Sequence, residues 1–282
     1  MDKIGLLIDS TTHTSEELTS YDFIKSVYLK VVIDDEEYLE KDLSKEQMES
    51  YIQNSTKMLT SQPAPTDFVD AINEFHKEGY THVIVVVLSD KISGTFQSAL
   101  LAKNLVEVDI EVSVHSPQAA SFGVANGLRI LAKEIKAGLN FEQVMKLYYK
   151  LFEEPFIAFT LSNLKHLFKG GRLNRVQALI GTVLRIKPIV QMVDGKLKMV
   201  QKERTNIACQ EFFMDKIDYY VNKYENVYLD IINLNMEKWG QSLKDAVEAK
   251  YSNVHIHTTD YVSPVFYVHL GNKGFGISII AY

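Results

Sequence analysis

Short apolar runs alternate with amphipathic segments through the first half of the chain. Residues 3–8, 82–88 and 110–114 are mostly apolar runs with the length of strands buried on both faces of a sheet. Helical periodicity follows these runs. The predicted helices cover residues 66–79, 95–106, 118–136 and 141–152. This alternation predicts a doubly wound parallel sheet.

The second half has a different pattern, and Pro155 marks the change. Two β-rich runs, residues 189–193 and 196–201, flank Asp194-Gly195, which is typical of a two-residue hairpin turn. Other predicted elements are strands at 156–160, 227–233, 254–258 and 276–282 and helices at 161–168, 174–184, 206–220 and 237–250. A hairpin within an α/β alternation indicates a mixed sheet. We therefore expect two α/β domains, with a doubly wound parallel sheet in residues 1–154 and a mixed sheet in residues 155–282.

Local signals near residue 40 refine this prediction. Ser44-Lys45-Glu46-Gln47 has the spacing of a capping box at the start of a helix. Asp34-Asp35 is typical of a tight turn between a strand at 25–33 and a returning strand at 37–39.

Two further segments are predicted from their prolines. Pro63 and Pro65, with polar neighbours, predict an extended loop over residues 59–65, and Thr66 is the expected cap of the next helix. Ser263-Pro264 predicts the start of a short helix that ends at Gly271.

The composition narrows the class of protein. The chain has 282 residues, of which 46% are hydrophobic and 23% charged, and its net charge of −6 includes no long basic run. This balance argues against a nucleic-acid partner, which would require clustered lysine and arginine. Its one cysteine, Cys209, cannot form an intrachain disulfide. No apolar run approaches 18 residues and no secretion signal is recognisable, so we expect a cytoplasmic protein without stable membrane insertion.

Polar residues follow three of the predicted parallel strands. They are Asp9-Ser10-Thr11-Thr12 after the first, Ser89 and Ser93 after the second, and His115-Ser116 after the third. Because the carboxyl ends of parallel strands meet at one crevice, we expect these hydroxyls to form one polar floor. Hydroxyls and helix N-termini can hold an anion there without a full positive charge.

Ser93-Gly94-Thr95 supports two interpretations equally. Glycine at a helix start allows close approach of an anionic ligand, but a serine N-cap with glycine for the turn is also common in ordinary helices. The segment Thr60-Ser61-Gln62-Pro63 likewise either presents hydroxyls to the crevice or is a solvated connector, which is the more common case.

Three other positions have a functional and a structural interpretation. His269, near a helix C-terminus, would be stabilised as imidazolium and attract a carboxylate, although its spacing alone favours a surface histidine. Lys169-Gly170-Gly171-Arg172 is either a phosphate-handling turn or a helix C-cap. Asp9 is either catalytic or a brace for the turn that follows the first strand.

Several familiar catalytic motifs are missing. The chain has no G-x-x-x-x-G-K-[ST], no G-x-G-x-x-G after a strand and no G-x-S-x-G. It also has no cysteine and histidine cluster of the kind that binds a metal ion. The sequence therefore predicts anion binding without an evident catalytic centre or cofactor.

Motifs spread over nearly the whole chain resemble those of the DegV family, the fatty-acid-binding proteins that serve as the FakB subunit of bacterial fatty acid kinase. Each motif is weak alone, but six in the same order are specific. They are Asp9-Ser10-Thr11, Thr60-Ser61-Gln62-Pro63, Leu88-Ser89 with Ile92–Ala99, Leu164 with Lys169-Gly170-Gly171-Arg172, Ile186-Lys187-Pro188-Ile189 with Asp194-Gly195, and Arg204-Thr205 with His269-Leu270-Gly271.

The resemblance implies a long-chain fatty acid in an apolar tunnel between two α/β domains. The positions matching the family's ligand-binding residues are Thr60 with its neighbour Ser61, Ser93, Gly94 and His269. It further implies a carrier without catalytic activity or a cofactor of its own. A separate ATP-dependent kinase would phosphorylate the carboxylate, and the resulting acyl phosphate would be used in phospholipid synthesis. Arg172 and Arg204 match positions that would face this kinase.

One departure from the family pattern and two rival functions remain. The family usually has Asp-Ser after the third strand, where this chain has His115-Ser116, which changes the charge of that corner. The first rival is an acyl hydrolase with Ser93 and His269 as nucleophile and base, which would need an acidic orienting group. The second is a phosphate- or phosphosugar-binding module based on the Ser93 helix start.

Overall fold

The computed structural model describes residues 2–12, 16–173 and 186–282, so the helix predicted at 174–184 lies outside the described residues. The strands are β1 (Ile4–Asp9), β2 (Ile24–Val27), β3 (Lys30–Ile33), β4 (Glu36–Leu39), β5 (Met58–Ser61), β6 (His82–Val86), β7 (Glu111–His115), β8 (Phe156–Leu161), β9 (Lys187–Val193), β10 (Lys196–Glu203), β11 (Val227–Leu234), β12 (Val254–Thr259) and β13 (Gly274–Ala281).

Helices separate most of these strands. They are α1 (Glu16–Thr19), α2 (Lys45–Asn54), α3 (Pro65–Lys77), α4 (Thr95–Leu105), α5 (Phe122–Lys136), α6 (Phe141–Leu151), α7 (Lys165–Lys169), α8 (Asn206–Lys223), α9 (Glu237–Lys250) and α10 (Pro264–Leu270). In the described part of the chain, none of them combines the length and the apolar character that crossing a bilayer would require.

The N-terminal half contains the predicted parallel sheet, with strand order β2-β1-β6-β7. Its central strands β1 and β6 are almost wholly buried, which explains their uninterrupted apolar sequence. Helices α3 and α4 pack together, and their apolar side chains join those of the sheet in one core cluster. The doubly wound N-terminal fold is thus confirmed.

A small antiparallel sheet, of order β4-β3-β5, lies beside the parallel one and was only partly predicted. The strand predicted at 25–33 is two strands, because β2 joins the parallel sheet while β3 pairs with β4 and β5. The turn at Asp34-Asp35 is confirmed, and both residues have positive φ.

Two predictions around residue 60 are wrong. Residues 58–61 are not part of a loop, because β5 forms a backbone ladder with β3. The next helix is capped at Ala64 rather than Thr66, and the Asp67 carboxylate accepts the Ala64 N–H at 2.8 Å. The prolines therefore mark a shorter extended segment than predicted, between the end of β5 at Ser61 and the start of α3 at Pro65.

The C-terminal half contains the predicted mixed sheet, of order β10-β9-β8-β13-β11-β12. Only the β11–β12 pair is parallel. The hairpin between β9 and β10 turns at Asp194-Gly195 as predicted, and both residues have positive φ. The two halves share a core, since Ile280 of β13 packs with α5 and α6. The division between residues 154 and 155 remains a prediction.

Candidate functional site

A narrow apolar cavity lies between the two halves of the molecule. Its volume is ≈ 110 Å³. All but five of the described lining residues are apolar or glycine. The polar ones are Thr60, Ser93, Ser121, Arg172 and His269.

Two glycines of β13 open the floor of this cavity. Gly276 lies in register between Ile232 of β11 and Phe159 of β8, and all three residues line the cavity. Gly274, two residues before Gly276 on β13, likewise lies between a residue of β11 and a residue of β8 that line the cavity. Because side chains alternate between sheet faces, two neighbouring sites on one face carry no side chain. We name Gly274 and Gly276 the glycine trough.

The glycine trough was missed by sequence reasoning, although it left a signal. Alternating glycines in an otherwise apolar strand indicate a close approach of another backbone or of a ligand. A Cβ on Gly276 would lie 2.5 Å from Phe159 Cβ and 2.6 Å from the Ala158 carbonyl oxygen. The absence of side chains therefore allows β8 and β13 to pack closely while leaving room above them.

Thr60 and His269 meet at the wall of the cavity. Thr60 Oγ1 lies 2.9 Å from His269 Nε2, which joins β5 of the small sheet to the last turn of α10. Helix α10 starts at Ser263-Pro264 and ends at Gly271, as predicted, and the buried Glu40 carboxylate accepts the Val265 N–H at 3.0 Å. This contact fixes the helix that carries His269.

The sequence predicted that His269 is a surface residue and that its imidazole can be stabilised as a cation. The structure contradicts both expectations. Its side chain is buried, with 9% of the residue exposed. Burial, helped by the positive charge of Arg172 and by His166, lowers the pKa of His269 to about 4. Desolvation of the imidazolium therefore outweighs the helix C-terminus that favours it. At neutral pH His269 is an uncharged imidazole.

The partners of the imidazole also indicate its tautomer. His269 Nδ1 is buried and has no hydrogen-bond partner among the described residues. Because a buried N–H without a partner is rarer than a bare acceptor, the proton belongs on Nε2 and is donated to Thr60 Oγ1. The Thr60 hydroxyl hydrogen is then free to point into the cavity toward an anion.

Ser93, in the segment between β6 and α4, lines the same cavity. Its Oγ lies 2.9 Å from Thr95 Oγ1 and accepts the Thr95 N–H at 3.3 Å, at the start of α4. The N-cap of α4 is Gly94, without a side-chain cap hydrogen bond, so the interpretation of Ser93 as the N-cap is wrong. Ser93 precedes the N-cap, and its hydroxyl stabilises the turn at the start of α4 while it also lies on the cavity wall.

Ser61 and Gly94 are two predicted ligand-binding residues that do not line the cavity in the described part of the chain. Ser61 follows Thr60 on the same strand, so its side chain points to the other face. A Cβ on Gly94 would collide with the Gln62 side chain, so this glycine allows the segment around Gln62 to approach α4.

Arg172 lies at the edge of the cavity and is half-buried. Its Nε donates to the Ile92 carbonyl at 3.0 Å and its Nη1 to the Gly170 carbonyl at 2.7 Å. The C-cap interpretation of this turn is confirmed, since Gly170 is the C-cap of α7 and Gly171 has a φ of 70°. Arg204, in contrast, is exposed after β10 and outside the cavity lining.

The other serines at the strand ends do not form the predicted polar floor, and that expectation is wrong for them. Ser10 donates to the Glu40 carboxylate, and Ser89 donates to the Gly195 carbonyl at 2.8 Å. Ser116 accepts the Asp90 N–H at 3.0 Å. Each hydroxyl braces a loop, and only Ser93 among these four serines is part of the described cavity wall.

Asp9 is a brace rather than a catalytic group. Its carboxylate is fully buried and accepts the Thr11 N–H at 2.8 Å and the Leu88 N–H at 2.6 Å. Burial raises the pKa of the carboxyl, while the hydrogen bonds from Thr11 and Leu88 oppose that change. The side chain thus ties the loop after β1 to the end of β6.

The geometry does not support the hydrolase interpretation. Ser93 Oγ contacts Thr95, and His269 Nε2 contacts Thr60, so no nucleophile and base pair is formed among the described residues. No described carboxylate bonds His269 Nδ1 to orient the ring. No group of three or more histidine, cysteine or acidic residues in the described ranges is arranged to hold a metal ion.

His115 lies outside this cavity, in a separate cleft at the end of β7. Its ring centroid lies 4.8 Å from that of Tyr148, and burial lowers the pKa of its imidazole. The corner that differs from the family pattern therefore holds a half-buried imidazole packed on an aromatic ring.

Comparison with known proteins identifies the family. The family model described as "Uncharacterised protein, DegV family" matches residues 3–282. This chain belongs to the DegV family. A DegV domain-containing protein of Halalkalibacterium halodurans is 31% identical over 280 residues, covering 99% of this chain and 98% of its own length.

Solved structures share the fold over the full length. DegV, a fatty acid binding protein from Bacillus subtilis, is 27% identical, with a TM-score of 0.88 and complete coverage of both chains. The Fatty Acid Kinase (Fak) B3 protein of Streptococcus pneumoniae, solved with linoleic acid, is 21% identical with a TM-score of 0.83 and complete coverage of both chains. The two-domain α/β fold of this DegV protein is therefore that of structurally characterised family members.

Proposed function

We propose that this DegV protein binds a long-chain fatty acid, with the acyl chain in the apolar cavity and the carboxylate at Thr60, Ser93 and His269. The observation that carries this proposal is a narrow apolar cavity whose few polar side chains include these three, drawn from both halves of the chain. The fatty-acid-binding DegV of Bacillus subtilis, with the same fold, supports it.

The energetics favour such a ligand. Burying a methylene is worth about 0.8 kcal/mol, so about 15 methylenes would gain on the order of 12 kcal/mol before the costs of association. A carboxylate cannot be buried without donors. The hydroxyls of Thr60 and Ser93 supply them, and the nearby Arg172 contributes positive charge.

The neutral imidazole of His269 acts through Thr60 in this scheme. With its proton on Nε2, His269 orients the Thr60 hydroxyl so that the hydrogen faces the carboxylate. The carboxylate is then held mostly by uncharged donors, so that it can be released after reaction without breaking a tight ion pair.

We propose further that the bound carboxylate is presented to a separate ATP-dependent kinase. One carboxylate oxygen would attack the γ-phosphorus of ATP and form a new O–P bond. The bond from the γ-phosphorus to the bridging oxygen would break, and ADP would leave with the electron pair. The acyl phosphate is an activated acyl donor for phospholipid synthesis. Because the phosphoryl donor is ATP, the proposal also places the protein in the cytoplasm.

Binding is tested by mass spectrometry of lipid extracted from the purified, denatured protein and by uptake of palmitate after delipidation. We expect a co-purified fatty acid and one palmitate per chain. Absence of both would contradict the proposal.

The kinase step is tested by transfer of labelled phosphate from ATP to the bound fatty acid in the presence of a candidate kinase subunit. We expect Arg204→Ala to slow transfer while palmitate binding is unchanged, because Arg204 is exposed and outside the cavity. Lys238→Ala, an exposed lysine on α9, is the matched control. Equal rates of phosphate transfer for wild type, Arg204→Ala and Lys238→Ala would exclude Arg204 from the kinase-facing surface.

A further inference from the structure

Polar side chains from three elements bound one end of the apolar cavity. On β13 the glycine trough lines the cavity, and Ser278 is the next residue on the same face of the strand. On β11 Ile232 lines the cavity, and Asp230 is the next residue on that face. On α5 Phe122 lines it, and Asn126 follows one turn later. The strand register agrees, because Asp230 pairs with Ser278 directly beyond the pair that Ile232 makes with the glycine trough.

These polar residues form one network around a buried carboxylate. Asp230 is fully buried and accepts hydrogen bonds from Asn126 Nδ2 at 2.5 Å and from Ser278 Oγ at 2.8 Å. His257 Nδ1 lies 3.2 Å from the other carboxylate oxygen. Arg129 Nη1 donates to Asn126 Oδ1 at 2.6 Å and lies 3.8 Å from the carboxylate. We name Asn126, Arg129, Asp230, His257 and Ser278 the polar plug.

Helix packing closes the same end of the cavity against β8. Ile157 lines the cavity and is paired with Ser278 across the two strands. A Cβ on Gly123 of α5 would lie 2.5 Å from Ile157 Cδ1, so the helix rests directly on this side chain. Further along β13, Ile280 packs into the core with α5 and α6. An acyl chain that extends past the glycine trough must therefore displace the polar plug or separate α5 from the sheet.

Displacing the polar plug costs more than a longer chain gains. Each methylene that is buried raises the affinity about fourfold. A hydrogen bond to a charged group contributes more than one methylene, and a buried carboxylate that loses its partners keeps the full cost of its desolvation. The contacts of Asp230 come from α5, β12 and β13, so a tail that enters the network separates at least one of them. An apolar tail therefore gains affinity up to the plug and loses it beyond.

We propose that the polar plug ends the acyl-chain site and sets the longest fatty acid that the protein binds tightly. This inference rests on the proposed function and adds the length limit of its ligand. Ser278 is the determining residue, because it occupies the first position beyond the glycine trough on the same face of β13. Ser278→Gly would lengthen the trough, whereas Ser278→Thr keeps the hydroxyl and adds a methyl group.

The test is a competition among straight-chain saturated fatty acids. Lipid-free protein is incubated with equal amounts of laurate, myristate, palmitate, stearate and arachidate, which differ successively by two methylenes. The protein is re-isolated and denatured, and the retained acids are quantified by mass spectrometry. The variants are Ser278→Gly and Ser278→Thr. The control is Ser113→Gly, which makes the same change in β7, outside the cavity lining that the described residues form.

We expect wild type to retain one preferred acid and to bind the next longer one at least about tenfold less tightly. Ser278→Gly should move this preference to a longer acid and Ser278→Thr to a shorter one, while Ser113→Gly keeps the wild-type preference. If Ser278→Gly does not fold, Ser278→Thr decides, because it retains the donor to Asp230. Retention that still rises at arachidate in wild type, or an unchanged preference in the variants at Ser278, would overturn the proposal. An equal shift in Ser113→Gly would also overturn it, since the shift would then come from loosened packing.

The same experiment separates this inference from the proposed function. If wild type retains no acid of the series, the proposed function itself fails. If wild type retains a fatty acid and the variants at Ser278 keep its length preference, the proposed function stands. The polar plug would then serve only to join α5 to the C-terminal sheet.

Discussion

Thr60 Oγ1 and His269 Nε2 lie 2.9 Å apart, although the two residues are separated by 209 positions in the sequence. The hydrogen bond joins a strand of the N-terminal half to the last turn of a C-terminal helix. It makes a buried neutral imidazole the partner of a hydroxyl on the cavity wall. Four predictions follow from this arrangement and its surroundings.

Removing the Thr60 hydroxyl should weaken fatty-acid binding. Thr60→Val keeps the side-chain shape but loses the donor to the carboxylate, and hydrogen bonds to charged groups contribute about 1.5–3 kcal/mol. We expect palmitate affinity to fall at least about tenfold by calorimetry. The control is Ser61→Ala, because Ser61 is the next residue of the same strand and its side chain lies on the other face of the sheet. This variant should bind palmitate normally. Equal affinities for Thr60→Val and wild type would remove Thr60 from the site.

His269 should make the stability of the lipid-free protein depend on pH. Its pKa is about 4 in the folded protein against an ordinary value of 6.5. Between these pH values the unfolded chain binds the proton and the folded chain does not, so stability falls as pH falls. The expected loss is about 3 kcal/mol, on the scale of 1.36 kcal/mol for each pKa unit.

The contribution of His269 is isolated by urea unfolding of wild type and His269→Gln at pH 7 and pH 4.5. The half-buried neighbour His166, whose pKa is also lowered, and the charge of Arg172 are common to both proteins. We expect wild type to lose more stability than the variant on acidification. If the free energy of unfolding depends on pH in the same way for both proteins, His269 is protonated in the folded state without a loss of stability.

Filling the glycine trough should affect both stability and ligand capacity. The Cβ of Gly276→Ala would lie 2.6 Å from the Ala158 carbonyl oxygen, so β8 and β13 must separate. Overpacking of this kind typically costs about 1–3 kcal/mol. We expect a lower urea midpoint and less than one palmitate per chain by mass spectrometry. A variant that is destabilised but still binds one palmitate normally would show that the trough serves strand packing alone.

Asp9→Asn should lower stability without altering the fatty-acid site. The amide cannot accept both the Thr11 and the Leu88 N–H groups, and leaving one of these buried donors unpaired costs about 1–3 kcal/mol. Chemical denaturation measures the loss. Palmitate affinity of the folded variant should equal that of wild type. A selective loss of binding at unchanged stability would instead indicate a direct role of Asp9 in the site.

Local sequence was most informative where the interactions are local. The Ser44 capping box, the Asp194-Gly195 hairpin turn and the start of α10 at Ser263-Pro264 all appear as predicted, because each depends on residues within one turn. Prolines near residue 60 were misleading, since β5 forms through pairing with β3, which lies nearly thirty residues earlier.

The sequence by itself determined the alternation of buried strands and helices, the parallel and mixed sheets, and the motifs that resemble the DegV family. The tertiary structure alone decided which polar side chains surround the cavity. Thr60 and Ser93 line it, while Ser10, Ser89 and Ser116 brace loops. It also decided the charge of His269, because burial contributed by both halves of the chain outweighs the helix terminus visible in the sequence. Periodicity is a property of neighbouring residues, whereas desolvation depends on every residue that packs around a group.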